Sequence, residues 1–326
     1  MTEKADFLEI KSYLEQAYWP KKLSSWYFAG HESKFQKGMH PMDFVDQRIM
    51  LFCNEKGEIT AMQRNCIHMH ADLSRGKLKN GVVTCPMHGW SYKLNGKCMH
   101  ANENASLHIF PVHIWLGQVF VFIGDQESFF PFPKYENIDF DLVMYKSSIK
   151  LETETDWYLL AGNGFDLHHF YTVHYRKIIN NPEINVIGKG RLLTQLEFEN
   201  TGVHIFDRIL RFLYGKKIGL HFEVVGGNMV FAISKFSKKH NFMFFCIHPP
   251  LEGKLAEVHL LFLKEKGKFK LLDNISLYYR KIFIHRFFQS ELDSINELKL
   301  IPVKLNPSDI FLMRYLKTIN QMILKK

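Results

Sequence analysis

A thiol and an imidazole stand together twice in this chain, at Cys66-Ile67-His68 and again at Cys85-Pro86-Met87-His88. This feature restricts the fold most tightly, because four metal-binding side chains drawn from two loops need a small, rigid scaffold to hold them. Zinc accepts both ligand types. Familiar zinc sites, however, put both cysteines in one half and both histidines in the other, whereas each half here is mixed. The cysteine total is odd (Cys53, Cys66, Cys85, Cys98 and Cys246), which argues against a disulfide framework. Metal binding is the reading that remains.

The surrounding residues supply such a scaffold. Short runs rich in β-branched and aromatic residues, such as Arg48–Cys53, Ile59–Met62 and Val119–Ile123, alternate with turn residues. Asn54-Glu-Lys-Gly57 and Leu94-Asn-Gly96 read as hairpin turns. Residues 25–125 are therefore expected to form an all-β unit, preceded by an N-terminal segment, residues 1–24, with an amphipathic helix over 4–17. Gly124–Phe140, with Pro131 and Pro133, reads as the linker. Residues 126–326 form a second unit. Its strands are expected at Tyr145–Glu152, Leu192–Phe198, His221–Val225, Met229–Ser234, Phe242–Ile247 and Ala256–Leu263, and its helices near Tyr158–Tyr175 and Leu271–Leu300. An antiparallel sheet wrapped on a long helix makes the whole an α+β protein.

Composition excludes several classes. The net charge of +9 is spread over scattered Lys and Arg with only short runs such as Lys216-Lys217, so a nucleic-acid surface is not expected. No apolar run approaches the roughly 20 residues of a membrane span, and Met1-Thr-Glu-Lys-Ala-Asp6 does not read as a signal peptide. A cytoplasmic setting is expected. The 29 Phe suit either large internal sheets or an apolar pocket.

Mixed halves have a specific meaning in iron–sulfur chemistry. In a Rieske [2Fe–2S] centre one iron takes two Cys and the other two His, so each loop supplies one ligand to each iron. Cys66, His68, Cys85 and His88, with Leu73-Ser-Arg-Gly76 and Gly89-Trp90 after them, resemble the two cluster loops of that family. Rieske proteins of respiratory complexes carry an extra disulfide at the positions of Ala71 and Met87. Its absence makes this chain similar to the lower-potential ring-hydroxylating oxygenases. Met69 departs from their usual Arg. His70, His100, His108, His113, Cys53 and Cys98 read as surface or core residues.

A second signal lies at Asn163-Gly-Phe-Asp166-Leu-His168-His169-Phe-Tyr-Thr-Val-His174. Two histidines five apart can meet on one metal if the helix breaks between them. Rieske oxygenase α subunits carry N-x2-D-x2-H-x4-H, which Asn163, Asp166, His169 and His174 match at every interval. Gly162 stands where that family often has Glu, and His168 is the rival of His169. A non-haem iron oxygenase also needs one carboxylate to complete a 2-His-1-carboxylate face. In the family it comes from a late helix resembling E-D-x3-E. The match here, Glu291-Leu-Asp293-Ser-Ile-Asn-Glu297, points to Asp293, with Glu291 as its rival.

The resemblance implies a terminal oxygenase: a Rieske domain joined to a helix-grip catalytic domain that holds mononuclear Fe(II), assembled as a homotrimer. Asp166 would link the cluster of one subunit to the iron of the next, a catalytic role in electron transfer. It implies O2 and a small apolar or ring-containing substrate to be hydroxylated, demethylated or desaturated. Electrons would come from a separate NAD(P)H-dependent reductase or ferredoxin, since Gly188-Lys-Gly190 lacks the third glycine of a nucleotide motif and is only a turn. The alternatives are a Rieske electron-transfer protein without oxygenase activity and a zinc-stabilised binding protein.

Overall fold

The structure, a computed structural model, describes residues 2–100, 105–134, 141–200, 211, 215–236, 240–250 and 254–324. The chain divides into two compact units, Ser24–Phe132 and the remainder.

In the first unit, β1 (Ser25–His31), β2 (His40–Phe44), β3 (Gln47–Cys53), β4 (Ile59–Gln63), β5 (Lys77–Lys79), β6 (Val82–Thr84), β7 (Ser91–Lys93), β8 (Ile109–Phe110), β9 (Val112–Trp115) and β10 (Gln118–Ile123) pair into antiparallel sheets. Their orders are β1-β10-β9, β2-β3-β4-β8 and β5-β6-β7. Strand β10, Gln-Val-Phe-Val-Phe-Ile, is buried at every position, so both its faces are covered and alternation is lost. The β3–β4 hairpin closes where the sequence places a turn. Asn54 Oδ1 accepts the backbone N–H of Lys56 and of Glu58, both at 2.9 Å, and Gly57 supplies the positive φ, +81°. Met50, Phe52, Met62, Leu73, Val83 and Tyr92 pack into one core with Cys66 and Cys85.

The second unit contains α1 (Thr2–Gln16), α2 (Trp157–Gly162), α3 (Leu167–Thr172), α4 (Lys270–Ile295) and α5 (Ile310–Leu324). Its strands are β11 (Leu142–Met144), β12 (Ile149–Thr153), β13 (Arg176–Ile178), β14 (Ile184–Gly188), β15 (Arg191–Asn200), β16 (Lys217–Val225), β17 (Met229–Lys235), β18 (His240–His248), β19 (Ala256–Leu261) and β20 (Leu263–Glu265). Among the described residues, eight strands form one antiparallel sheet in the order β12-β19-β18-β17-β16-β15-β13, with β14 also on β15. Helix α4 lies against this sheet, where the Phe288 ring meets Phe245 edge to face with centroids 4.9 Å apart. Period-2 alternation divides the Phe residues between two roles. On β18, Met243 and Phe245 line a cavity, while Phe242 and Phe244 face the other side and are fully buried. Phe206 and Phe212 lie outside the described residues.

Three expectations change. The strand foreseen over Tyr145–Glu152 begins only at Ile149, as β12, and Leu142–Met144 before it is a separate strand, β11, in another sheet. The helix foreseen near Tyr158–Tyr175 is broken into α2, a 3-10 turn at Asn163–Phe165, and α3. Helix α5 was not foreseen at all. It packs against α1, with Arg314 bound to Asp6 and Lys317 to Glu9. The division of the chain falls between Phe132 and Pro133, inside the proline-bearing stretch Gly124–Phe140, of which residues 135–140 lie outside the described ones.

Candidate metal centres

The two Cys–His loops share one hydrogen-bond plan. In the first, the N–H of Cys66 donates to Ala71 O at 2.9 Å and the N–H of His70 to Cys66 O at 2.8 Å. In the second, the N–H of Cys85 donates to Trp90 O at 2.7 Å and the N–H of Gly89 to Cys85 O at 3.2 Å. The fourth residue after each cysteine takes a positive φ, +57° at His70 and +72° at Gly89. The different spacings, C-x-H and C-x2-H, are thus accommodated by loops of the same construction.

The donors sort by environment. Cys66 and Cys85 are 1% and 4% exposed, whereas His68 and His88 are exposed. The two imidazoles lie side by side with centroids 4.9 Å apart, and the Trp90 ring stacks on His68 at 4.5 Å with an interplanar angle of 1°. Tyr92 Oη lies 2.9 Å from Cys66 Sγ. Burial, followed by the hydrogen bond and the charge of Cys66, pushes the Tyr92 phenol up; against a cluster-bound thiolate, which carries no proton, the phenol is the donor. Two buried sulfurs and two solvent-edge imidazoles, one of each per loop, fit a [2Fe–2S] cluster with its histidine-bound iron outward. Cys98 packs in the same buried core as Cys66 and Cys85. Met69 and Met87, each beside a ligand histidine, are exposed by 67% and 68%.

The second set is assembled from α3, the turn after it, and α4. Five residues along an unbroken helix would set two side chains about 140° apart. Here α3 stops at Thr172, so His174 lies beyond the helix and is not held to that phase. The two Nε2 atoms lie 3.1 Å apart. Asp166 accepts the N–H of His169 at 3.0 Å and so caps the start of α3. His169 is buried while its neighbour His168 is exposed.

The carboxylate that meets these imidazoles is Glu291. Its Oε2 lies 3.1 Å from His169 Nε2 and its Oε1 3.4 Å from His174 Nε2. The Nδ2 of Asn163 donates to Oε2 at 3.3 Å. Burial alone would raise this carboxyl's pKa; the hydrogen bonds and charge of the two histidines outweigh it and hold the group at about 2. Asp293, expected from the family resemblance, is turned away: it is exposed and accepts a hydrogen bond from Gln289 Nε2 at 3.0 Å. The physical reason is helix phase, since residues two apart on a helix point about 200° apart. The buried face of α4 carries Leu277, Ile284, Phe288, Glu291 and Ile295, and Asp293 falls off it. That periodicity was the signal that could have found Glu291.

Two ligands about 2.1 Å from one ion and at right angles to it stand about 3 Å apart. The three separations, 3.1, 3.1 and 3.4 Å, match that requirement. His174 and Glu291 border a cavity of about 620 Å³ whose walls include Phe170, Phe198, Phe222 and Phe287. Gly162 has no room for the Glu that often precedes the Asn of this motif, because a Cβ there would lie 2.6 Å from the Tyr315 ring.

Comparison with known proteins bears on both sets. The Rieske [2Fe-2S] domain family matches residues 25–111. Aminopyrrolnitrin oxygenase of Pseudomonas fluorescens is 22% identical over 275 residues, which cover 75% of this chain and 76% of that protein. The oxygenase component of a 3-ketosteroid-9-alpha-monooxygenase of Rhodococcus rhodochrous is 24% identical over 189 residues, 52% of this chain and 47% of its own length. Among solved structures, dicamba monooxygenase bound to dicamba covers 91% of this chain at a TM-score of 0.57 and 17% identity, with 97% of its own chain matched. NdmA of Pseudomonas putida CBB5 with caffeine covers 95% at 0.64 and 14%, with 91% of its own chain matched. The likeness to these two is one of fold. Among the described residues no helix is long and apolar enough to cross a membrane.

Proposed function

We propose, from the premise that this chain is a Rieske-type non-haem iron terminal oxygenase, that His169, His174 and Glu291 hold its mononuclear Fe(II) and that Cys66, His68, Cys85 and His88 hold its [2Fe–2S] cluster. The cluster supplies single electrons, and the ferrous ion a place where O2 is reduced beside substrate. The protein's own residues do the rest. Asn163 steadies the Glu291 carboxylate, Asp166 fixes the helix that aims His169, and Tyr92 donates to a cluster sulfur. Phenylalanine walls keep water from the cavity. The observation that carries the reading is a 2-His-1-carboxylate set with separations of 3.1–3.4 Å at the edge of an apolar cavity.

The substrate is an apolar or ring-containing small molecule. Arg176 and Arg286 are the cations of the cavity lining among the described residues, which suits a carboxylate or similar anionic substituent on that ring. Electrons come from a separate reductase or ferredoxin. A homotrimer, in which Asp166 of one copy relays electrons from the cluster of the next, is the arrangement the family resemblance supports. All five cysteines are outside disulfides, which favours a reducing, cytoplasmic setting.

The test is a single turnover. Chemically reduced protein is mixed with O2 and a panel of aromatic and alicyclic acids, and products are read by mass spectrometry. Oxidised product from the wild type, and none from Glu291→Ala, is the expected result. Reoxidation of the cluster by an acceptor protein, with no O2 consumed in the presence of any compound, would make the chain an electron carrier instead.

A further inference from the structure

The sheet of the second unit carries another cluster of metal-binding side chains. Antiparallel register sets His248 of β18 directly against Glu257 of β19, and Cys246 against His259. Cross-strand partners, and residues two apart on one strand, share a face. His248, Glu257 and His259 therefore lie together on the side opposite the cavity-lining Met243 and Phe245.

One donor atom from each of the three lies within 4.8 Å of the other two. His259 Nε2 is 3.4 Å from Glu257 Oε2, and the two imidazole rings have centroids 4.2 Å apart. Donors about 2.0–2.1 Å from a tetrahedral zinc stand about 3.3–3.4 Å from one another. The carboxylate is oriented for this. Lys150 Nζ, on the neighbouring β12, donates to Glu257 Oε1 at 3.1 Å and leaves Oε2 to face His259. Glu152 takes the same ammonium at 2.8 Å and balances its charge, so an arriving cation meets one net negative charge. All three donor residues are half-buried, and the Nε2 atoms of both histidines are themselves shielded from solvent.

We propose that His248, Glu257 and His259 form a third metal site, for a divalent ion of the zinc class, that clamps β18 to β19 on the face of the sheet away from the oxygenase iron. Two imidazole nitrogens and one carboxylate oxygen are a donor set zinc takes, with water in the fourth position. The site is independent of the oxygenase reading, since it uses none of the residues assigned there.

The experiment uses the intact protein, the wild type with its iron centres filled. It is dialysed against excess zinc, then against metal-free buffer, and its zinc is counted by plasma mass spectrometry. The wild type and Glu291→Ala are each expected to retain about one zinc per chain. His259→Gln and Glu257→Gln are expected to retain none. In thermal melts zinc raises the midpoint of the wild type and leaves both variants unmoved, and a chelator reverses the rise. His248→Gln serves as the third arm should either of the others melt below the wild type without zinc. Zinc absent from the wild type, or retained equally by all three variants, overturns the proposal. Zinc lost only in Glu291→Ala would place it at the oxygenase iron site and also overturn it.

Discussion

Glu291 Oε2 sits 3.1 Å from His169 Nε2 across 122 residues of sequence, both side chains being almost completely buried. A carboxylate taken that far out of water is costly unless it is paired. The pairing here is with two imidazoles whose own Nε2 atoms lie 3.1 Å apart, so the three donor groups converge on one point. Glu291→Ala is expected to lower mononuclear iron from about one per chain to near zero while the visible spectrum of the cluster is unchanged. Asp293→Ala is expected to keep the iron. Iron analysis with electron paramagnetic resonance separates them, and the opposite pattern would return the ligand role to Asp293.

How much of this was legible beforehand follows the range of each interaction. The cluster loops were, because four ligands and two turns lie within residues 66–90 and local spacing defines them. His169 was separable from His168 by interval alone. Asp293 was placed ahead of Glu291 because a motif with an inserted Leu292 was matched by letter, whereas the phase of α4 puts Glu291 on the buried face with Phe288 and Ile295 and leaves Asp293 exposed. Helix α5 was missed because its partner, α1, lies at the other end of the chain, and nothing local announces a contact such as Asp6 with Arg314. Asn163 and Tyr92 gained their roles only from tertiary contacts, with Glu291 and Cys66 respectively.

Tyr92 donates to Cys66 Sγ at 2.9 Å, and a hydrogen bond to a cluster sulfur favours the reduced, more negative cluster. Tyr92→Phe removes that donor. A hydrogen bond of about 1 kcal/mol corresponds to roughly 40 mV for one electron. Protein-film voltammetry should therefore show the potential of the variant lower by about that amount. An unchanged or higher potential would mean that the phenol does not act on the cluster.

Gly162 is closed to side chains by Tyr315 of α5, whose ring would lie 2.6 Å from a new Cβ. Tyr315 is itself fully buried and stacked on Phe165 at 4.3 Å, so it has no free direction in which to retreat. Gly162→Ala is expected to cost about 1–3 kcal/mol. Thermal melting reads this as a midpoint several degrees below the wild type, and a midpoint within one degree would show that α5 can shift.

Asp273, near the start of α4 and 5% exposed, is held by the Lys264 ammonium and the N–H of Gly267. The Lys264 hydrogen bond, opposed by burial, sets its pKa below the ordinary value of 3.8. A carboxyl whose folded pKa is depressed stabilises the fold above its unfolded pKa, and that contribution is lost as pH falls through the folded one. Asp273→Asn should accordingly melt below the wild type at pH 6, and the gap should close as pH drops below about 4. A gap that does not narrow between pH 6 and pH 3 would assign the loss to packing and not to charge.

Two separate iron centres in one polypeptide fix the ratio of iron to sulfide, which elemental analysis reads. Protein prepared without oxygen is predicted to carry about three irons and two acid-labile sulfides per chain. Samples free of labile sulfide, or with iron equal to sulfide and none in excess, would contradict it.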